Sequence, residues 1–289
     1  MNLVGWLIYS EQDSEQNTAY INWFIDEAAI QGVTLKLVLR EELTIGIYQN
    51  KQTIFYNNQQ VHLPDFAVVR TVEPLLNMVL ESMGINVFNS SQVSAICNNK
   101  ALTHYYMNKL SIPMVDTIFM KKKNCVQMPG MPLPFIVKGT SGRGGRQVHM
   151  IKDEQEWERC IADDIFASEL IIQSSKNIQL GKDVRVFVVG SQIIGAVLRE
   201  SRSDFRSNFK LGGSATWYPL NHHELTLLNK IINAFDFGMV GIDFLLDTKG
   251  KLQLNEIEDV VGSRTLSAVS DINILKKYIT HITKRLGHN

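Results

Sequence analysis

Near the end of the chain, Asp243, Glu256 and Glu258 have the residue types and the spacing to hold a metal ion. Residues 240–246 and 252–258 read as two apolar strands joined by a turn at 247–250, and such a hairpin can set Asp243 opposite the two glutamates. Strict alternation puts Glu256 and Glu258 on one face, together with Leu252 and Leu254. Three carboxylates converging there repel one another unless a cation neutralises them, and hard oxygen donors of this kind suit Mg²⁺ bridging nucleotide phosphates. A solvated strand end, with its acids dispersed into water, fits the same residues.

Upstream, the run Lys138-Gly139-Thr140-Ser141-Gly142-Arg143-Gly144-Gly145-Arg146 follows an apolar strand. Its glycines let backbone N–H groups approach an anion, and Lys138 with two arginines adds positive charge. No Lys-Ser/Thr follows Gly144 as a Walker A loop requires, and position 147 lacks the third glycine of the dinucleotide fingerprint. A hairpin tip with solvated charges is the plainer alternative. Between Lys176 and Lys210, seven cations (176, 182, 185, 199, 202, 206 and 210) meet three acids (183, 200 and 204). Alternate strand positions share a face, so Arg185, Arg199 and Arg206 can point into one cleft and hold a polyanion. A solvated basic face is the duller reading, and the lack of interleaved aromatics argues against a nucleic-acid groove. His222 and His223 have no partner at metal-ligand spacing and read as surface or capping residues. Taken together, a glycine loop, a basic cleft and a carboxylate cluster are what holding a metal nucleotide and stabilising a transferred phosphoryl group require.

The elements that must position these groups follow from hydrophobic period. Strands are expected at 3–9, 34–39, 66–69 and 85–88, with helices carrying Ile21, Phe24, Ile25 and Ala28, and Leu76, Val79, Leu80 and Met83. A polar excursion or hairpin falls at 49–60. This βαβ alternation predicts a parallel sheet with helices on both faces. One capped helical segment is expected from Ser91 to Ile112, stopped by Pro113. Beyond it the chain reads as paired strands at 135–138, 148–151, 170–173, 184–189 and 193–198. Helices carry Trp157, Cys160 and Ile161, then Leu225, Leu228, Ile232 and Phe235, and finally Leu275, Tyr278, Ile279 and Ile282.

Composition bounds the alternatives. The 289 residues suggest two domains, and 29 Lys plus Arg against 29 Asp plus Glu exclude a dominant nucleic-acid or anionic-membrane surface. Apolar runs fall far short of the roughly 18 to 20 residues of a membrane span. The N-terminus lacks a basic n-region and does not read as a signal peptide. Cys97, Cys125 and Cys160 contain no CxxC and make neither a disulfide framework nor a zinc site, which places the protein in a reducing cytoplasm. Cys97 and Cys160 are expected to pack in helices.

The order of these motifs resembles the RimK-like ATP-grasp ligases. The similar stretches are Asn99-Lys100-Ala101, residues 134–145, Gly181-Lys182-Asp183-Val184-Arg185-Val186, Asp204-Phe205-Arg206-Ser207-Asn208 with Gly212-Gly213-Ser214-Ala215, Gly241-Ile242-Asp243-Phe244 and Asn255-Glu256-Ile257-Glu258. The resemblance implies an α/β protein: an N-terminal Rossmann-like pre-ATP-grasp domain (1–95), then a two-subdomain α+β ATP-grasp fold (96–289) with a lid at 113–175. It implies that Lys100 and Lys138 contact ATP phosphates and that Ser141, Gly142, Arg143, Gly144 and Gly145 close over them. Gln173 and Ser174 would line the adenine pocket and Asp183 would face the ribose. Arg185 and Arg206 would stabilise the transferred phosphoryl, with Arg199 and Asn208 nearby. Asp243, Glu256 and Glu258 would hold two Mg²⁺ ions, with Mn²⁺ as a substitute. Ser174 stands where the family usually has a carboxylate, and Glu258 where many members have Asn.

The implied activity is ATP-dependent ligation of a carboxylate to an amine through an acylphosphate, with release of ADP and phosphate. The acceptor would be an amino acid, a peptide or a carrier protein; no nucleic acid or membrane partner is implied, and a homo-oligomer is compatible. Three rival readings stay open: the same activation with a carrier-protein thiol or peptide acceptor, a non-catalytic ATP-binding regulator or scaffold, and a phosphotransferase that stops at the phosphorylated product. The substrates are expected between Arg70 and the residues Gly262, Ser263 and Arg264.

Overall fold

The computed structural model describes residues 3–125, 127–142, 147–162, 166, 168–201, 204–207 and 213–287. The N-terminal part runs β1 (Leu3–Tyr9), α1 (Glu11–Gln16), α2 (Thr18–Ile30), β2 (Val33–Leu39), β3 (Leu43–Tyr48), β4 (Lys51–Tyr56), β5 (Gln59–Gln60), β6 (Phe66–Val69), α3 (Pro74–Ser82) and β7 (Asn86–Phe88). Strands pair in the order β2-β1-β6-β7, all parallel. The apolar run of β1 is explained by burial on both faces. Leu3, Leu7 and Tyr9 pack with Phe24 and Ala28 of α2, while Trp6 and Ile8 pack with Leu76 and Leu80 of α3. The polar excursion is a separate antiparallel meander, β3-β4-β5.

The expected single helix after β7 is two helices, α4 (Ser91–Cys97) and α5 (Lys100–Lys109). The reason is Asn99, whose backbone is extended and whose side chain accepts from the N–H groups of Ala101 and Leu102, a better use of asparagine than a helix interior. The break re-aims the chain and makes Lys100 the first residue of α5.

Next come β8 (Thr117–Lys121), β9 (Phe135–Gly139), β10 (Val148–Ile151), α6 (Glu154–Ala162) and β11 (Glu169–Ser174). They form an antiparallel sheet in the order β10-β9-β11-β8, with Phe135, Val137, Leu170 and Ile172 packed on Trp157 of α6. The last part comprises β12 (Ile178–Val189), β13 (Gln192–Glu200), β14 (Ser214–Trp217), α7 (His222–Ile232), β15 (Met239–Asp247), β16 (Leu252–Glu258), α8 (Arg264–Val269) and α9 (Ile274–Arg285). Its antiparallel sheet has the order β14-β13-β12-β15-β16. One face, with Val184, Val186, Ala196, Ile242, Phe244, Leu254 and Ile257, packs on Leu228 and Ile231 of α7. The other face is divided. At one end Phe187, Val189 and Val197 join the N-terminal core through α9; at the other end lie the charged groups described below.

Asn89 ties the N-terminal sheet to the last one. Its side-chain amide donates to the carbonyls of Met239 and Asp259, each at 3.0 Å, and its oxygen accepts from Gly238 N at 2.6 Å. Among the described residues no helix is long and apolar enough to cross a membrane.

Candidate active site

The three carboxylates converge, but by a route the alternation rule does not foresee. In the β15–β16 pair, Asp243 faces Glu256 while Phe244 faces Leu254, so Asn255 is an extra residue opposite nothing: a β-bulge. The bulge changes the parity of β16. Leu252, Leu254 and Ile257 all belong to the apolar cluster under α7, and Glu256 and Glu258 emerge on the opposite face. The expectation that the glutamates share a face with Leu252 and Leu254 is therefore corrected, and with it the cost of burying acids among leucines disappears. One ligand oxygen from each of Asp243, Glu256 and Glu258 lies within 4.8 Å of the others.

Cross-strand pairing builds the rest of this face. Arg199 sits opposite Asp183, and Arg185 opposite Asp243. Arg185 grips Asp243 with two bonds, of 2.7 and 2.6 Å, and reaches Glu258 at 2.8 Å. Arg199 grips Asp183 at 2.6 and 2.5 Å and adds a 2.8 Å bond to Asp243. Burial works against the charge on Asp243, whose side chain is 1% exposed, yet the two guanidiniums win and hold its carboxyl at about 2. Burial raises Asp183 and Glu258 despite their arginines. Asp183 lines the cavity as expected, but both its oxygens are occupied by Arg199.

Two lysines enter from other elements. Lys138, on β9, is buried and donates to Asn255 Oδ1 at 2.7 Å. Burial brings it down to about 8, with Lys100 pushing the same way and Glu256 opposing. Lys100 donates to the Gly142 carbonyl at 2.8 Å and lies 3.2 Å from Glu256 Oε2, while its backbone N–H binds the Thr140 carbonyl at 2.9 Å. The helix break at Asn99 thus fastens α5 to the foot of the glycine loop. Glu256 is lowered because Lys100, Lys138 and Arg185 outweigh its burial. A side chain at Gly139 would meet the Gln147 side-chain oxygen at 2.4 Å and the Ser141 carbonyl at 3.3 Å, so the strand passes close to the foot of the loop.

These groups line one cavity of about 490 Å³, a size that suits a nucleotide. Its described lining includes six cations (Lys100, Lys138, Lys182, Arg185, Arg199, Arg206) and four carboxylates (Asp183, Asp243, Glu256, Glu258), a net charge of +2. The cavity is also lined by Ile136, Gln173, Ser174, Ile178 and Leu245. Arg206 lines the cavity and is engaged by Asp204, with a 2.6 Å contact. Ser141 and Gly142 also line it, whereas Arg143, Gly144, Gly145 and Asn208 lie outside the described residues. His222 and His223 are exposed in the first turn of α7, and all three cysteines are buried and outside any disulfide.

Two residues were given no role by sequence reasoning. Asn255 was visible only as part of a motif, and its bulge leaves no trace in hydrophobic period. His104, on α5, places Nε2 at 2.9 Å from the Asn255 carbonyl, and burial lowers it to about 4, so the ring is neutral and donates from Nε2. Gln173 is buried beside it, with its amide nitrogen 3.3 Å from His104 Nε2 and 3.4 Å from Thr117 Oγ1. Asn255 and His104 together hold the bulge that turns Glu256 to the cavity.

The three acids fit a divalent cation. Asp243 Oδ1 accepts a single bond, and Glu256 and Glu258 meet their cations through one oxygen each, so hard oxygen donors remain on all three.

A family model described as the RimK-like ATP-grasp domain matches residues 97–282. The uncharacterized protein MG012 of Mycoplasma genitalium is 32% identical over 209 residues, covering 68% of this chain and 72% of that protein. The glutamate–LysW ligase ArgX of Sulfolobus acidocaldarius is 25% identical over 235 residues, covering 75% and 81%. A crystal structure of D-alanyl-alanine synthetase A from Vibrio cholerae superposes with a TM-score of 0.75 at 14% identity over the whole of both chains, a likeness of fold.

Proposed function

The chain belongs to the RimK-like ATP-grasp family, and from that premise we propose that it is an ATP-dependent ligase that joins a carboxylate to an amine, releasing ADP and phosphate. One observation carries the reading: two lysines from separate elements, two buried arginines and three carboxylates line a single nucleotide-sized cavity. A non-catalytic nucleotide binder has no need of three acids aimed at the phosphates.

The base would lie at the Ile136, Gln173 and Ser174 end and the phosphates between Lys100 and Lys138, under residues 141–145. Asp243, Glu256 and Glu258 would hold two Mg²⁺ ions, which when bound supply neutralisation of the phosphate oxygens. Arg185, fixed by Asp243 and Glu258, presents its charge at the point where an incoming carboxylate meets the γ-phosphate, so two anions are brought together without mutual repulsion. Arg206 would close on the transferred phosphoryl from the other side. Attack gives an acylphosphate, and an amine then displaces phosphate to form the amide. Covering of the site by the 113–175 lid keeps water from the acylphosphate.

The acceptor would be an amino acid, a peptide or a carrier protein; glutamate–LysW ligase, by its name, joins glutamate to LysW. The buried thiols suit a reducing cytoplasm. The test is product analysis with Mg²⁺-ATP and a pool of amino acids: ADP and phosphate are expected, and AMP with pyrophosphate refutes the reading. ADP release that needs a carboxylate but no amine, with a stable phosphorylated product, would favour a phosphotransferase.

A further inference from the structure

Arg70 follows β6 and lies outside the stretch matched by the family model. It is 6% exposed, and its guanidinium meets no carboxylate among the described residues. Nε donates to Tyr9 Oη at 3.2 Å and Nη2 to the Val261 carbonyl at 2.8 Å, which leaves the Nη1 donors without a partner there. The rings of Tyr9 and Tyr20 lie 5.9 and 5.7 Å from the guanidinium carbon, and the buried Tyr20 hydroxyl makes no close hydrogen bond, with the Ser263 side chain beside it. A buried cation held only by neutral groups is costly, and an anion that used the remaining donors of Arg70, with the Tyr20 hydroxyl beside them, would relieve that cost.

This arrangement adjoins the cavity. Val72, two residues beyond Arg70, lines it. Val261, whose carbonyl binds Arg70, turns its side chain toward the active face: a methyl group built on Gly241 would fall 2.6 Å from Val261 Cγ2 and 3.5 Å from Arg185 Cδ. Val261, which Arg70 holds by its carbonyl, and the stem of Arg185 thus both approach Gly241.

We propose that Arg70, with Tyr20, binds a carboxylate of the substrate that does not itself react. The proposal rests on the ligase reading only for where the reacting carboxylate lies, beside Arg185. A guanidinium fork matches a carboxylate in plane, and its place behind Val261 makes it a second anchor and not the site of phosphoryl transfer. The substrates then include a carboxylate beyond the one activated, either on the donor, making it a dicarboxylic amino acid, or on the acceptor, making it an amino acid and not a simple amine.

The experiment is calorimetric binding to the full chain with Mg²⁺ and a non-hydrolysable ATP analogue. L-Glutamate and L-aspartate are compared with 4-aminobutyrate and β-alanine, which lack the α-carboxylate, and glycine with methylamine. The proposal expects at least one carboxylate-bearing probe to bind at least tenfold more tightly than its truncated counterpart, and Arg70→Gln to erase that difference while ADP still binds. Discrimination in the first set assigns the anchor to the donor, and in the glycine pair to the acceptor. Arg70→Lys, which keeps the charge but not the fork, is expected to restore part of the difference. No discrimination by the wild type, discrimination that survives in Arg70→Gln, or loss of ADP binding in both variants overturns the proposal, the last by making Arg70 a strut of the fold. Binding is read without turnover, so Arg70-dependent discrimination in a protein that releases no ADP would refute the ligase reading and leave this one standing.

Discussion

Replacing Asp243 with Asn removes one negative charge from the most buried point of the site and changes almost nothing in shape. In the native protein its carboxylate accepts two bonds from Arg185 and one from Arg199, and Asp183 holds Arg199 from the far side. The variant leaves Arg185 with only half-exposed Glu258 as an ionic partner. Breaking a buried pair on one side costs about 3–5 kcal/mol, and at this chain length about 2 °C of melting temperature accompanies each kcal/mol, so a fall of about 6–10 °C is expected. Glu258→Gln is the control: its side chain is 33% exposed and burial already works against its charge, so its bond to Arg185 gains little and the expected loss is below about 1 kcal/mol. Both variants are melted without nucleotide and in chelator, so that a lost metal ligand cannot contribute. The native stabilisation by Asp243 is complete above the pKa of an unfolded aspartate, about 4. It is lost as pH falls from there through about 2, and the variant should lack this acid-sensitive component. Equal melting of the two variants, or a fall under about 2 °C for Asp243→Asn, would refute the view that these ion pairs brace the site.

Further outcomes follow from the same geometry. Lys138 titrates near 8, so metal-free ADP affinity should be constant below that pH and fall by up to tenfold per pH unit above it, as titration calorimetry can read; a flat profile to pH 10 contradicts the buried placement. Stability moves the other way, rising between pH 8 and about 10.4 because the unfolded lysine still binds its proton there. Glu256→Gln should abolish turnover while leaving metal-free ADP binding unchanged or tighter, since it removes a negative charge beside Lys100 and Lys138; retention of wild-type turnover contradicts the site assignment. Asn255→Leu strips buried Lys138 of its acceptor and should cost about 1.5–3 kcal/mol in denaturant unfolding, with Asn255→Asp sparing most of that loss.

The parts of the molecule legible in the sequence are those set by local period. β1, α2, β6, α3, the β12–β13 hairpin and the β15–β16 hairpin fall where apolar spacing puts them, because each buries its own stripe. Alternation also foretold that Arg185 and Arg199 would reach one cleft, whereas Arg206 lines it from a bend outside any strand, where alternation says nothing. What escaped was decided by single residues or by distant partners. Asn99 divides one helical pattern into two helices by capping the second, and Asn255 reverses the facing of β16 by one unpaired residue. Neither changes the hydrophobic pattern of its neighbours. The pairing of Arg199 with Asp183 and of Arg185 with Asp243 depends on strand register across 16 and 58 residues, which composition does not fix. The even balance of charge over the chain likewise hides the +2 of the cavity lining.

In the proposed reaction a carboxylate oxygen of the substrate becomes bonded to the γ-phosphorus of ATP. Substrates labelled with ¹⁸O in their carboxylates, supplied with Mg²⁺-ATP and an amine pool, test it through the mass of the phosphate released. One labelled oxygen per phosphate is predicted, and ADP unlabelled. Label appearing in AMP, or phosphate released during amide formation without label, would contradict the account.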